Sequence, residues 1–306
     1  MILVTGASGL LGSNIIMHIL RENKDAAVIY NSKSVSFENI QCIKADLTNE
    51  ERIKQIIHSL KPDHIIHCAA QTDVDRCEQY PSEAFLVNAD ATRFIAEAAG
   101  EINASLFYIS TDSVFDGKKG DYYESDYPNP VNTYAKSKLQ GESEIMKTGV
   151  DYCIARTNIY GWNLQDKFSL SEWILNKLET RQNVPAFWDV TFSPLLVNDL
   201  AIIILDMIKN GSTGMYHIGS SGYCNKFEFA CKLADVFDLD KSLIQPVSID
   251  NMSLIAKRPK NMSLNTTKIC ITLNRKMPDI ISGLKKLKLL RESGYVQDLK
   301  KNGEGM

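Results

Sequence analysis

The sequence predicts an α/β fold in which a doubly wound parallel sheet is followed by a smaller, less regular C-terminal portion. Three observations carry this. Short apolar runs alternate with segments of helical apolar spacing over the first 157 residues. A glycine-rich turn, Gly6-Ala7-Ser8-Gly9-Leu10-Leu11-Gly12, follows the first apolar run directly. Beyond residue 158 the alternation breaks down.

Ile2 to Thr5 reads as the opening strand, and Leu10 to Glu22 as the helix that leaves the glycine turn. Strands follow at Ala26 to Tyr30 and Ile40 to Ala45. Asn49 is placed to cap a helix running to about Leu60, with Glu50 and Glu51 favourable at its positive end. His64 to Ala70 is nearly all apolar, as a strand covered on both faces should be. A helix from Ser82 to Ala99 leads to a strand from Leu106 to Ser110. Helix Tyr134 to Lys147 and strand Tyr152 to Arg156 complete the unit. Further on, helical spacing at Ser169 to Thr180, Val197 to Lys209 and Lys226 to Phe237 mixes with short runs such as Met215 to Ile218. This divides the chain into 1–157, a nucleotide-binding unit, and 158–306, a mixed α/β portion packed on it, with room for segments that return to the first. No Pro/Gly/Ser-rich linker separates the two. The end, Lys300 to Met306, reads as frayed.

With 44% hydrophobic and 23% charged residues the chain has the composition of a globular protein with a substantial core. A net charge of −3 argues against nucleic acid or an anionic membrane surface as partner. The run Lys285-Lys286-Leu287-Lys288 fits a solvated helix face. No apolar run reaches the roughly 18 residues of a membrane span, and Met1 to Gly6 lacks the features of a signal peptide. Seven cysteines without a Cys-x-x-Cys pair read as buried thiols in a reducing cytoplasm. The five histidines show no metal-ligand spacing; His64 and His67 in one strand point to opposite faces.

Strand, glycine turn, helix is the context of a Rossmann-type dinucleotide site. Gly6 permits the turn, Gly9 lets the backbone approach a pyrophosphate, and Gly12 lets helix and strand pack closely. Leu10 and Leu11 open the helix whose free N–H groups would face the phosphates. An acid at the end of the second strand would bond the adenosine ribose of NAD. Here stand Asn31, Ser32 and Lys33, which favours NADP(H), with Lys33 on the 2′-phosphate; NADH stays open, and Lys33 can equally be a solvated loop residue. Asp46 and Leu47 are candidate adenine contacts, or Asp46 a turn residue only.

Ser110, Thr111 and Asp112 end a strand where a nicotinamide should sit. In Thr133-Tyr134-Ala135-Lys136-Ser137-Lys138, helical spacing puts Tyr134 and Lys138 on one face, one turn apart. That is a proton-donating phenol beside a cation: Tyr134 to move the proton, Thr111 to bond a substrate oxygen, Lys138 to favour the phenolate and hold the cofactor ribose. Oxidation at neutral pH would need the phenol lowered by about three pH units, some 4 kcal/mol; reduction needs only a stabilised product. Each residue alone has a bland reading, as strand-end hydroxyl, core aromatic and surface lysine. The set makes the chemical reading the better one.

Gly6-x-x-Gly9-x-x-Gly12, Thr111 and Tyr134-x-x-x-Lys138 together resemble the extended short-chain dehydrogenase/reductases. More narrowly, Ser110-Thr111-Asp112-Ser113-Val114-Phe115-Asp116-Gly117 is similar to the Ser-Thr-Asp-Tyr-Val-Phe-Asp-Gly motif of dTDP-4-dehydrorhamnose reductases. The segments His67 to Glu78, Tyr123 to Pro130, Arg156-Thr157 and Arg258-Pro259-Lys260-Asn261 fit as well, so the likeness runs to about residue 268. The resemblance implies hydride transfer from NADPH to the C4 ketone of a nucleotide-linked 6-deoxy-4-ketohexose. Tyr134 would protonate the oxygen, Thr111 polarise the carbonyl and Lys138 anchor the ribose. Ala69, Ala70 and Gln71 would line the cofactor channel. Thr111, Asp112 and Ser113 would touch the sugar, and Arg258 the diphosphate, unless it is only a surface cation. Asn88 resembles a helix asparagine that bonds backbone near the active site, a role that can be wholly structural.

Three aromatic positions depart from that motif: Ser113 and Gln71 replace tyrosines, and Ile159 stands where a tryptophan is usual. This keeps the proton-transfer set and leaves the sugar open. Trp162 and Trp188 read as core aromatics rather than substitutes. A 4,6-dehydratase would want an acid at Ser113, and an epimerase that retains NAD fits poorly with the acid-free second strand. The remaining alternative is a non-catalytic NADP-binding regulatory subunit like the β-subunit associated with methionine adenosyltransferase. The nucleotide, the product stereochemistry and a homodimer stay open.

Overall fold

The computed structural model describes residues 1–303. Seven parallel strands form one sheet, in the spatial order Gly214–Ile218, Tyr152–Thr157, Ser105–Thr111, His64–His67, Ile2–Thr5, Ala26–Tyr30, Gln41–Lys44. From Ile2–Thr5 the chain builds outward first to one side and then to the other. A crevice therefore opens at the carboxyl ends of Ile2–Thr5 and His64–His67, where ligands bind in such sheets.

Side chains alternate across the sheet, so each face has its own apolar layer. Leu3, Ile29, Ile65, Leu106 and Ile154 lie on one side with Ile53 and Ile57 of helix Glu50–Leu60 and Ile95 of helix Ala91–Glu101. Val4, Val28, Ile66, Phe107 and Ala155 lie on the other with Ile15 and Ile19 of helix Leu10–Arg21 and Leu200 and Ile204 of helix Val197–Lys209. Strands buried on both faces are what the near-continuous apolar runs imply.

The C-terminal portion is woven into this frame. Gly214–Ile218 pairs with Tyr152–Thr157 as the seventh strand, and helix Val197–Lys209 packs against helix Leu10–Arg21. Beyond the sheet, three two-stranded pairs join Ile159–Tyr160 to Leu195–Leu196, Thr191–Phe192 to Cys224–Asn225, and Val184–Phe187 to Ile244–Val247. Among the described residues no helix is long and apolar enough to cross a membrane. All seven cysteines are free thiols.

Several elements differ from the sequence reading. The single helix expected from Ser82 to Ala99 is Pro81–Phe85 and Ala91–Glu101 with a π-helical turn, Leu86–Asp90, between them. Such turns commonly mark functional positions. Residues 300–303 of the segment expected to fray are held in place. Tyr295–Lys301 is a helix, the Tyr295 hydroxyl donates to Asn14 at 2.6 Å, and the Asn302 carbonyl accepts from the Ser36 amide at 3.0 Å. Residues 304–306 of the segment expected to fray lie outside the described residues. Trp162 is a core aromatic, its Nε1 donating to the Leu287 carbonyl at 2.9 Å, but Trp188 is 55% exposed. The lysine run is only partly solvated: Lys286 pairs with Asp199 at 2.5 Å and Lys288 with Asp238 at 2.7 Å.

Candidate active site

Gly6 has φ +70°, a left-handed conformation that costs glycine little, and a Cβ there would lie 2.7 Å from the Ala69 amide nitrogen. At Gly12 a Cβ would run into the Gly6 carbonyl group, 2.8 Å from its carbon. The turn is thus wedged between the end of the fourth-in-sequence strand, His64–His67, and its own helix. Gly9 precedes helix Leu10–Arg21 with no side-chain cap, and no acid stands in the first turn. The first-turn N–H groups of such a helix lack intrahelical partners. An uncapped, acid-free helix start beneath a turn with no room for side chains fits a dinucleotide pyrophosphate. Gln165 of the C-terminal portion reaches over this turn, its Nε2 donating to the Ser8 carbonyl at 2.7 Å.

Asn31, Ser32 and Lys33 are exposed just past the second strand. Lys33 faces Asp166 at 3.8 Å, a loose surface pair that leaves the ammonium free to move. Asp46 is a turn residue: its Oδ1 accepts from the Thr48 amide at 2.9 Å and the Thr48 hydroxyl at 2.8 Å, while Asn49 caps the following helix. Leu47 is buried.

The segment after His67 carries Ala69, Ala70 and Gln71 along the same crevice. Buried His67 bonds Thr5 and Thr92 through its two nitrogens, and burial lowers its pKa to about 3, so it is a neutral structural bridge. Asn88, in the π-helical turn, does more than sequence reasoning credited it with. Its side chain accepts from the Gln71 amide at 2.8 Å and donates to the Gln71 carbonyl at 3.1 Å and the Ser137 hydroxyl at 3.0 Å. One buried amide thereby ties the Gln71 segment to the helix that carries Tyr134 and Lys138.

That helix, Thr133–Thr148, starts where Asn132 accepts from the Ala135 amide at 2.9 Å, a cap of about 1 kcal/mol. Asn132 Nδ2 also donates to the Lys257 carbonyl at 2.8 Å, joining the C-terminal portion to the helix start. Tyr134, Lys138 and Glu142 follow at intervals of four residues. Glu142 and Arg156 are both buried and joined by two hydrogen bonds, 3.0 and 2.6 Å, and the Ser110 hydroxyl donates to Glu142 at 2.5 Å. This strut fixes the helix against the ends of two sheet strands, the second being the one that delivers Thr111.

Thr111 and Tyr134 come together. Burial raises the Tyr134 phenol above its ordinary range, the Thr111 hydroxyl opposes that rise, and Asp112 and Cys77 add to it. Tyr134 is therefore a protonated phenol at neutral pH. Thr111 Oγ1 donates to Asp112 at 3.2 Å and accepts from the Ser113 amide at 3.1 Å. Asp112 is buried; burial raises its pKa, opposed by Asn158, Lys226, Ser113 and Thr111. Lys138 is buried as well, and burial pushes it down to about 7, against the pull of Glu142 and Cys68. Its Nζ lies 4.0 Å from the centroid of the Tyr108 ring. The spacing put the two residues on one face, but the lysine head turns toward Tyr108, where the ring face holds a cation.

Arg258 sits near the start of the same helix, its guanidinium donating to Asp75 at 3.0 Å and to the Ala256 carbonyl at 2.9 Å. Two contacts leave donors over for another acceptor. Ser113 Oγ donates to Asp112 at 3.2 Å or Met262 Sδ at 3.5 Å, and Ile159 is half-buried in its two-residue strand. Asn158, which donates to Asp112 at 2.7 Å, and Lys226, whose charge opposes the rise at Asp112, were not legible beforehand.

The chain matches the RmlD substrate binding domain model over residues 1–289. It is 32% identical to a probable low-salt glycan biosynthesis reductase of Haloferax volcanii over 87% of this chain and 90% of that one. It is 30% identical to the methionine adenosyltransferase 2 subunit beta of Bos taurus, over 88% and 81%. Among solved structures, the dTDP-4-dehydrorhamnose reductase of Bacillus anthracis in complex with NADP superposes with a TM-score of 0.84, 29% identity and coverage of 94% and 98%. A hypothetical dTDP-4-dehydrorhamnose reductase of Sulfolobus tokodaii gives 0.81, 34%, 91% and 97%. A family match over residues 1–289 and superposition over more than nine-tenths of the chain agree: this chain belongs to the RmlD substrate binding domain family.

Proposed function

We propose that this protein is an NADPH-dependent reductase of a nucleotide-linked 4-keto-6-deoxyhexose. The observation that carries the reading is the meeting of a protonated, half-buried Tyr134 with Thr111 beside the glycine turn, on a helix held by the Glu142–Arg156 strut. The glycine turn and the start of helix Leu10–Arg21 would hold the pyrophosphate, Ala69 to Gln71 the channel, and Lys138 the ribose. Lys33, just past a second strand that ends without an acid, would take the 2′-phosphate. Bound NADPH supplies the hydride. Tyr134 gives its proton to the substrate oxygen, which suits a phenol that burial keeps protonated. Thr111 holds its hydrogen on Asp112 at the outset, so it orients the phenol, and its hydrogen can turn to the phenolate once the proton has left. This differs from the carbonyl-polarising role that the resemblance implied. Asp112, Ser113 and Arg258 would meet the sugar and the diphosphate.

The test is loss of reduced-nicotinamide absorbance on mixing purified protein, NADPH and freshly generated dTDP-, UDP- or GDP-4-keto-6-deoxysugars. Turnover with one of them is expected; tight NADPH binding without turnover on any of them would favour a regulatory subunit. That second reading is kept by the 30% identity to the subunit beta of methionine adenosyltransferase 2. Gly12→Ala tests the cofactor half. Its methyl group cannot be seated without moving the Gly6 carbonyl, and NADPH affinity measured by fluorescence quenching is expected to fall at least about ten-fold, roughly 1.4 kcal/mol. Unchanged affinity would place the nucleotide elsewhere.

A further inference from the structure

We propose that Asp75 is a positioning residue for the nucleotide half of the substrate: it clamps residues 256–258 to helix Val74–Gln79 and so aims the Arg258 guanidinium at the diphosphate. The proposal rests on the reading of the crevice as a nucleotide-sugar site. One carboxylate oxygen, Asp75 Oδ1, accepts from the Ala256 amide at 2.9 Å and from Arg258 Nη2 at 3.0 Å. Arg258 Nη1 donates to the Ala256 carbonyl at 2.9 Å. The guanidinium is folded back on its own segment, and both backbone polar groups of buried Ala256 are engaged. Pro259 follows, which confines Arg258 to an extended backbone.

The clamp is itself anchored. Asp73 caps helix Val74–Gln79, accepting from the Arg76 amide at 3.0 Å. Glu78, one turn on from Asp75, accepts from the Thr133 amide at 2.9 Å. Between Ala256 and Arg258 the Lys257 carbonyl accepts from Asn132, the cap of the helix that carries Tyr134. Beyond Pro259 the Asn261 amide donates to the Gly117 carbonyl at 3.0 Å. Three successive residues of the C-terminal portion are thus pinned beside the start of the Tyr134 helix. A guanidinium carries five N–H donors in a planar fork that matches phosphate oxygens. Asp75 and the Ala256 carbonyl take one from each terminal nitrogen. The others stay available, and the side chain is 23% exposed, enough for an anion to reach them. A long side chain loses rotamer freedom when it binds a ligand, and a clamp that fixes it beforehand removes that cost. The same carboxylate also repels an incoming diphosphate through its unshared oxygen, so the sign of the effect separates clamp from competitor.

The experiment measures binding of dTDP, UDP and GDP by titration calorimetry, KM and kcat for the matching 4-keto sugar, and NADPH affinity. The proteins are wild type, Asp75→Ala, Asp75→Asn, Arg258→Met and the double variant Asp75→Ala with Arg258→Met. Asp75→Ala is expected to weaken the best nucleoside diphosphate about ten-fold and raise KM alike, with kcat and NADPH affinity within about three-fold of wild type. Asp75→Asn keeps an oxygen for the Ala256 amide and should lose less; it replaces the alanine variant in the cycle if that one does not fold. Because Asp75 acts through Arg258, the double variant should bind no more weakly than Arg258→Met alone. Losses that multiply in the double variant, tighter nucleotide binding without the carboxylate, or an equal fall in NADPH affinity would overturn the proposal. So would Arg258→Met binding as wild type does. Wild type that binds a nucleoside diphosphate but turns over no sugar would sink the reductase reading alone, and the cycle would still decide the role of Asp75. Wild type that binds none of the three would overturn both.

Discussion

Tyr134→Phe is expected to lower kcat by about 10² to 10⁴ while leaving NADPH affinity within about three-fold of wild type. The magnitude is that of a positioned general acid. The variant removes one oxygen and its proton, and the ring that packs on the helix remains. Burial holds the phenol in its protonated form, with Thr111 easing the phenolate that would follow proton transfer. The substrate oxygen in the variant can draw a proton only from solvent or from Thr111, whose hydrogen is engaged with Asp112 at 3.2 Å. The measurement is steady-state NADPH oxidation with the best 4-keto sugar, paired with cofactor titration by fluorescence. Equal loss of turnover and of NADPH binding would make Tyr134 a cofactor contact instead. Undiminished turnover would remove it from the chemistry altogether, and with it the reading that joins this chain to reductases in function as well as in fold.

What could be read in advance had local causes. The glycine turn announces itself because Gly6 and Gly12 stand where backbone meets backbone, which no other residue tolerates. Tyr134 and Lys138 share a face by helical geometry, and Asn49 caps its helix through a contact three residues away. The strands of the sheet follow from apolar runs covered on both sides. The rest depends on pairings far apart in sequence. Asn132 reaches the Lys257 carbonyl and Asn158 reaches Asp112 only because the sheet and the C-terminal portion bring distant segments together. The work of Asn88 needs the π-helical turn, and nothing in Leu86-Val87-Asn88-Ala89-Asp90 distinguishes that turn from an ordinary one. Trp188 looks like core by residue type, yet it follows Phe187 at the end of a short strand pair, where no element covers it. The head of Lys138 is a further case: helical spacing fixes its face but not its rotamer, and the ring of Tyr108 takes it.

Arg156→Met is expected to destabilise the fold by about 3–5 kcal/mol, the cost of stranding one charge of a buried pair. Glu142 is fully buried and would keep only the Ser110 hydroxyl as partner, having lost both guanidinium hydrogen bonds. The urea midpoint should fall accordingly, with an unchanged slope if the transition stays two-state. The double variant Arg156→Met with Glu142→Leu removes the stranded charge. Its stability should return to near that of wild type, because well-packed apolar groups often replace a buried ion pair without loss. Turnover should not return with it. Glu142 lies one turn beyond Lys138 and opposes the burial that pushes that lysine down to about 7. It also pins helix Thr133–Thr148 to Ser110, the neighbour of Thr111. Without it Lys138 loses its nearest anion and becomes still harder to protonate, and the strand end is free to shift against Tyr134. Stability restored with activity still reduced would separate the two duties of the strut. Recovery of both would leave the pair a matter of folding alone, and a single variant as stable as wild type would deny that Glu142 depends on Arg156 at all.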